Sequence, residues 1–358
     1  MKYNYKGLEN LYKPEYFKRL VKHPLFAYII LTLILVVVQL LHIFGDGIIT
    51  LSQSRGIAMA MIYGMAAMGL GVLVGLAGLV SLGTAAFLGL GAYLAGNILR
   101  SAVLPFTVLV LIVAAIAIVL GIVIGFISLR VRGLNLLVIT LAIATIFNEL
   151  FLTPNDFTGG VLGISQVPFP EIAMFLQLNR ETVFFLILAV QFVLILLTLN
   201  IIRSPMGRAM MAMANSEALA RAMGVNILKY RVLAFVIATV YAMVAGILFV
   251  STMGAATPGS WTLVLALNML TAVILGGTAK PAGVLIGAFI IFALDLAVLR
   301  NFQFFTRNPM APAIFSGILI ILIVAKYPGG LMKLMHQISG GIKLLTVRWR
   351  EYRYGPEV

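Results

Sequence analysis

The chain has 358 residues, of which 62% are hydrophobic, 10% are charged and none is cysteine, and its formal net charge is +14. A soluble domain carries about 25% charged residues, so this composition excludes a large water-soluble core and marks an integral membrane protein; the missing cysteines exclude disulfides, thiol chemistry and cysteine-held metals. The basic residues sit at the ends of apolar segments, which argues for charge-directed orientation in a bilayer and against a nucleic-acid groove.

Residues 1–24 carry Lys2, Lys6, Lys13, Lys18, Arg19 and Lys22, a basic cytoplasmic or interfacial N-terminus in which Tyr12, Tyr16 and Phe17 suit the headgroup region. The first apolar run begins near Leu25 and lacks a small-residue cleavage site, so it reads as an uncleaved span over 25–44 and not as a signal peptide. Further spans are expected over 57–78, 80–99, 102–128, 134–152, 182–202, 231–252, 262–276, 283–300 and 310–325. The expected architecture is therefore an all-α polytopic helix bundle with about ten transmembrane helices (8–10). The transmembrane domain covers 25–325 and a basic cytoplasmic tail covers 326–358. Spans 2–5 and 7–10 each open with a glycine-bearing span after a polar segment, a similarity too weak to define a repeat.

Residues 75–93 read G-L-A-G-L-V-S-L-G-T-A-A-F-L-G-L-G-A-Y. Small residues at this density let helix backbones approach closely. A break near Ser81–Gly83 would instead offer backbone N–H groups to a carboxylate. Segments 79–99 and 262–283 are the two places where a broken or re-entrant helix is compatible with the sequence, if protein or water surrounds it.

The long basic insert 203–231 has the grammar of two short helices. Ser204 suits an N-cap and Pro205 the first helical position, with the first helix ending near Ala214. Asn215 or Ser216 caps a second helix, Glu217 complements its positive end, and Gly224 suits the residue just past its end, where φ is usually positive. Met206, Met210, Met211, Met213 and Met223 give the insert an adaptable apolar surface. Two uses fit: docking on another protein, or a solvated loop whose methionines pack on its own bundle.

With ten spans and a cytoplasmic N-terminus, 20 of the 25 lysines and arginines fall on the inner side. Glu149 and Asp295 lie near the outer ends of their spans, which leaves no ionisable group near the midplane for ion coupling. There is no histidine pair or acidic cluster with metal spacing, no nucleophile motif and no phosphate-binding G-x-x-x-x-G-K-[ST] loop. The chain reads as a transport protein and not an enzyme, with no metal or cofactor of its own.

Segment 203–231 resembles the coupling loop of ABC importer permeases, most closely that of the branched-chain amino-acid (Liv-type) permease family. Ser204, Pro205, Gly207, Arg208, Ala209, Glu217, Ala220, Ala222, Gly224, Asn226 and Tyr230 carry the match. Leu219 stands where an alanine is common, and Arg221 where a glutamate is common. Residues 75–93 resemble a second segment of that family, with Thr84 in place of a common histidine. Thr158 to Ile164, T-G-G-V-L-G-I, resembles its outer segment, and 276–288, G-G-T-A-K-P-A-G-V-L-I-G-A, a fourth, with Ala279 and Val284 replacing a glycine and a proline. Y-P-G-G-L at 327–331 is similar to the family's tail.

The resemblance implies a permease subunit of an importer for branched-chain or other apolar amino acids, in a prokaryotic inner membrane with both termini cytoplasmic. It implies a second permease of related fold, two cytoplasmic ATPases that hold the ATP, and an extracytoplasmic binding protein. It assigns ATPase coupling to Gly207, Arg208, Glu217, Ala220 and Gly224, and binding-protein contact to Thr158, Gly159 and Gly160. A path lined by small or weakly polar groups is expected at Ser81, Gly83, Thr84, Tyr93 and Thr140, which would hold a substrate weakly enough to release it. The alternatives are a urea or short-amide importer of the same family and, from another class, an ion-coupled carrier or channel.

Overall fold

A computed structural model describes residues 24–44, 50–102, 104–129, 131, 134–173, 176–177, 182–278, 280–298, 317–318 and 321. Helix α1, Pro24–Phe44, belongs to a unit of its own. It has no acidic residue in its first turn and only His42 in its last, as a span of the expected extent should.

In the second unit α2 runs over Leu51–Gly71 and continues into a π-helical turn, Val72–Leu76. Then come α3 (Thr84–Ser101), α4 (Phe106–Leu129) and α5 (Leu134–Leu152). A loop follows with a 3-10 turn, Gly160–Leu162, and a small antiparallel hairpin of β1 (Glu171–Ala173) and β2 (Leu176–Gln177). The chain returns through α6 (Thr182–Arg203), two short helices α7 (Pro205–Asn215) and α8 (Glu217–Ala222), and α9 (Ile227–Met253). A 3-10 turn at Pro258–Ser260 leads into α10 (Leu263–Gly276), and α11 (Pro281–Ala288) runs on in π-helical form through Phe289–Val298. The expected span over 310–325 lies almost wholly outside the described residues, as do residues 1–23 and the tail, and the Asp295 side chain lies outside them too.

The protein is an all-α polytopic membrane protein. Six of its described helices are long and apolar enough to cross a bilayer. Two observed helices start earlier than hydropathy suggests, α2 at Leu51 and α9 at Ile227. Hydropathy marks the apolar window, whereas the hydrogen-bonded ladder runs on into the polar turn until a cap stops it. For α9 that cap is Asn226, whose Oδ1 accepts from Lys229 N at 3.1 Å.

Helices α2 and α9 form the centre: 89% and 72% of their apolar windows are buried, against 17% for α5 at the periphery. Helix α9 packs along α4, α3 and α2, and α2 also contacts α11 and its π-helical extension. Lipid tails are as apolar as leucine, so helices associate in a bilayer through close contact of small residues. Gly121 and Gly125, four residues apart on α4, lie against α9. A Cβ at Gly125 would meet the Val232 backbone at 2.8 Å, closer than packing allows.

The chain is not helical between Leu76 and Thr84, so the span expected from 80 starts four residues late. Gly78 turns with φ +68 and Leu79 N donates to Leu73 O at 3.0 Å. Exposed N–H groups are not tolerated in hydrocarbon, and several of this break find partners inside the protein. Leu82 N donates to Thr140 Oγ1 of α5 at 3.0 Å, and Gly83 N donates to Ser81 Oγ at 3.2 Å.

Candidate functional site

The insert folds into two capped helices. Ser204 Oγ accepts from Gly207 N at 3.2 Å and donates to Ile201 O at 2.7 Å, and Pro205 opens α7. Gly207 is buried where a side chain would strike the Ile201 and Ile202 backbone, so α7 folds tightly back on the end of α6. Arg208 is exposed, and its Nη1 donates to Arg203 O at 2.9 Å. Met210 and Met213 are buried and seat α7 on the bundle, and a Cβ on Gly78 would touch the Ala214 Cβ at 3.1 Å. Thus α7 rests on the break that follows α2.

Ser216, and not Asn215, caps α8: its Oγ accepts from Leu219 N at 3.3 Å. The far end closes as a Schellman-type stop, with Val225 N donating to Ala220 O at 2.9 Å and Gly224 at φ +81. The six-residue helix has two different faces. Ala220 is buried, and Glu217 points back to form an ion pair with Arg231, the fifth residue of α9. Arg231 is 4% exposed, and its Nη1 donates to Ser128 O near the end of α4 at 3.3 Å. On the other face Leu219 and Met223, four residues apart, are 67% and 79% exposed. Of the five residues assigned to coupling, Gly207, Glu217 and Ala220 therefore face the chain's own bundle, while Arg208 and Gly224 are exposed.

The residues assigned to the path come together in part. Ser81, Gly83, Thr84 and Thr140 are all buried, and the hydrogen bonds above join the 81–83 break to α5. Tyr93 lies two turns further along α3, fully buried and stacked on Phe151 with ring centroids 4.8 Å apart. Its hydroxyl lies beside the buried Trp261 indole. Neither polar atom has a hydrogen-bond partner of ordinary geometry among the described residues.

In the loop that follows α5, Thr158 is buried and organises the local turn. Its Oγ1 donates to Thr153 O at 2.7 Å and accepts from Gly160 N at 3.2 Å, while Asn155 Oδ1 accepts from Thr158 N at 2.8 Å. Asn97 of α3 pins the same loop by donating from Nδ2 to Phe157 O at 2.7 Å. Gly159 is exposed and Gly160 buried, and the apolar tip is Val161 and Leu162, 75% and 86% exposed.

Sequence reasoning missed Arg231 and Val161 with Leu162, and it named Met223 within an apolar surface and Leu219 as a departure without pairing them. Arg231 reads in sequence as one more basic residue before a span, and its burial depends on α4, a hundred residues earlier. The leucine at 219 did carry a signal, since it departs from the alanine of the resembled motif.

The family model for the branched-chain amino acid transport system permease component matches residues 52–324. Among curated relatives, the high-affinity branched-chain amino acid transport system permease protein LivM of Salmonella typhimurium is 30% identical over 299 residues, 76% of this chain and 68% of the relative. The protein of the same description from Escherichia coli is 30% identical over 298 residues, with the same coverage. A probable branched-chain amino acid transport permease protein LivM of Methanocaldococcus jannaschii is 29% identical over 215 residues, 56% of this chain and 59% of the relative. No solved structure matches the chain.

Proposed function

This chain belongs to the branched-chain amino acid transport system permease family, and we propose that it is the membrane-spanning subunit of an ATP-driven importer for branched-chain or other apolar amino acids. A second permease of related fold completes the membrane part, two cytoplasmic ATPases bind and hydrolyse the ATP, and an extracytoplasmic protein delivers the substrate. The assembly sits in the inner membrane of a prokaryote with both termini of this chain cytoplasmic.

The observation that supports this reading best is the build of α8. It is capped at both ends, held to the bundle along one face, and presents Leu219 and Met223 on the other. An apolar pair four residues apart on a short, stopped helix suits insertion into a groove of a partner. In this role Gly207, Glu217, Ala220 and Gly224 fix the helix and Arg208 flanks it, while Leu219 and Met223 make the contact. At the other end Thr158, Gly159 and Gly160 shape the loop that offers Val161 and Leu162 to the binding protein. The path runs along the exposed face of α5, where Thr145 and Glu149 interrupt an apolar surface. Ser81, Gly83, Thr84, Thr140 and Tyr93 form the layer that supports it from behind.

The test is uptake into proteoliposomes carrying the complete complex. Leucine, isoleucine or valine should accumulate only with ATP on the cytoplasmic side and should persist when ion gradients are collapsed. Uptake that follows an ion gradient without ATP contradicts the reading, and uptake of urea or short amides in place of apolar amino acids contradicts its substrate assignment.

A further inference from the structure

We propose that Arg231 is the positioning residue through which displacement of α8 passes into α4 and α9, by way of its ion pair with Glu217. This rests on the reading that α8 docks on the ATPase, and goes beyond it by naming the route inward.

Arg231 is nearly fully buried, and a buried charge persists only with partners. Its two terminal nitrogens reach two different elements: Nη2 meets the Glu217 carboxylate on α8, and Nη1 donates to Ser128 O on α4 at 3.3 Å. Ser128 O is among the last carbonyls of α4, which have no partner within the helix and carry its negative end, so the guanidinium is well placed there. The planar fork of an arginine can hold both partners at once, whereas the compact ammonium of a lysine cannot match that geometry.

Position 231 also lies where α4 and α9 are locked together. Val232, the next residue, packs its backbone against Gly125, and Ser128 Oγ donates to Gly125 O at 2.6 Å. Force entering at Arg231 therefore acts on the α4–α9 pair as one body. Glu217 turns inward, away from the exposed face of α8, so its carboxylate serves the connection to the bundle and leaves contact with the ATPase to the apolar face. The short turn 223–226 joins α8 to α9 covalently, and the ion pair adds a second tie from the start of α8, which stops the helix from swinging about that turn.

The experiment compares the assembled complex carrying Glu217→Gln, Arg231→Gln, their combination, or Arg231→Lys. We expect assembly and basal ATP hydrolysis to be retained, with stimulation by loaded binding protein falling on the order of tenfold in each single variant. The double variant should be no worse than the more affected single variant, because the two side chains act as one unit. A merely structural pair would lower the melting temperature and all activities together, and stimulation that stays normal or declines additively overturns the proposal. Leu219→Asp tests the docking reading separately: if it leaves assembly and uptake unchanged, docking through α8 fails whatever the ion pair does. Spin labels at Ala222→Cys and Phe126→Cys, specific because the chain has no cysteine, give a readout that leaves the pair intact. The distance between α8 and α4 should stay constant through the ATP cycle, and a change of several ångströms would overturn the proposal even if the pair variants do not fold.

Discussion

Thr140 shows how one side chain can hold a break in a helix. Its Oγ1 accepts the Leu82 N–H and donates to Leu137 O at 3.1 Å, so it closes the backbone account of a non-helical segment at membrane depth. Thr140→Val keeps the shape and removes the acceptor, which leaves a buried N–H unpaired at a cost of about 1–3 kcal/mol. Thermal unfolding of the purified protein should show the loss in Thr140→Val and little change in Thr140→Ser. Equal behaviour of the two variants would mean that the bond does not hold the segment. At this scale the sequence was readable where chemistry is local. Ser204, Ser216 and Gly224 announced their caps because a cap depends on residues three or four positions away. Thr158 was readable only as part of a turn, because its burial depends on Thr153 and Asn155 closing around it.

Helix α8 illustrates the scale of the element. Its existence and its stop at Gly224 follow from the sequence, but which face is free does not, since that depends on the position of Arg231 across the fold. A Cβ at Gly224 would meet nothing within 4 Å, so a substitution there is opposed by φ +81 alone. Gly224→Val should cost about 1–3 kcal/mol of backbone strain and weaken substrate-stimulated ATP hydrolysis while membrane insertion is kept. Gly224→Asn, which tolerates this region, should stay close to wild type. Strong loss in both variants would show that something other than backbone conformation matters there. The π-helical stretches Val72–Leu76 and Phe289–Val298 were not readable, because an i→i+5 ring has no pattern of apolar residues distinct from an α-helix of similar length. The break after α2 was readable as a glycine- and serine-bearing interruption, and its partner on α5 was not.

Among the described residues, the six helices long and apolar enough to cross fall where hydropathy places them, because a bilayer demands about 20 apolar residues per crossing. Their arrangement did not follow, since the central place of α2 and α9 comes from glycine contacts between distant segments. The orientation proposed for the chain rests on the inner excess of lysine and arginine. Single cysteines at Leu219 and Leu162, both highly exposed, should react with an impermeant reagent from opposite sides of the membrane. Reaction of both from one side would sink that topology, and with it the separation of ATPase and binding-protein surfaces.

The central claim is that force from ATP hydrolysis enters this permease through the apolar face of α8. The most direct measurement is co-purification of the ATPase subunits with the permease carrying Leu219→Asp and Met223→Asp, followed by uptake in proteoliposomes. Neither side chain supports the bundle, so the variant should fold, insert and keep its partner permease, yet lose the ATPase and with it ATP-driven uptake. Retention of the ATPase together with wild-type uptake would contradict the account.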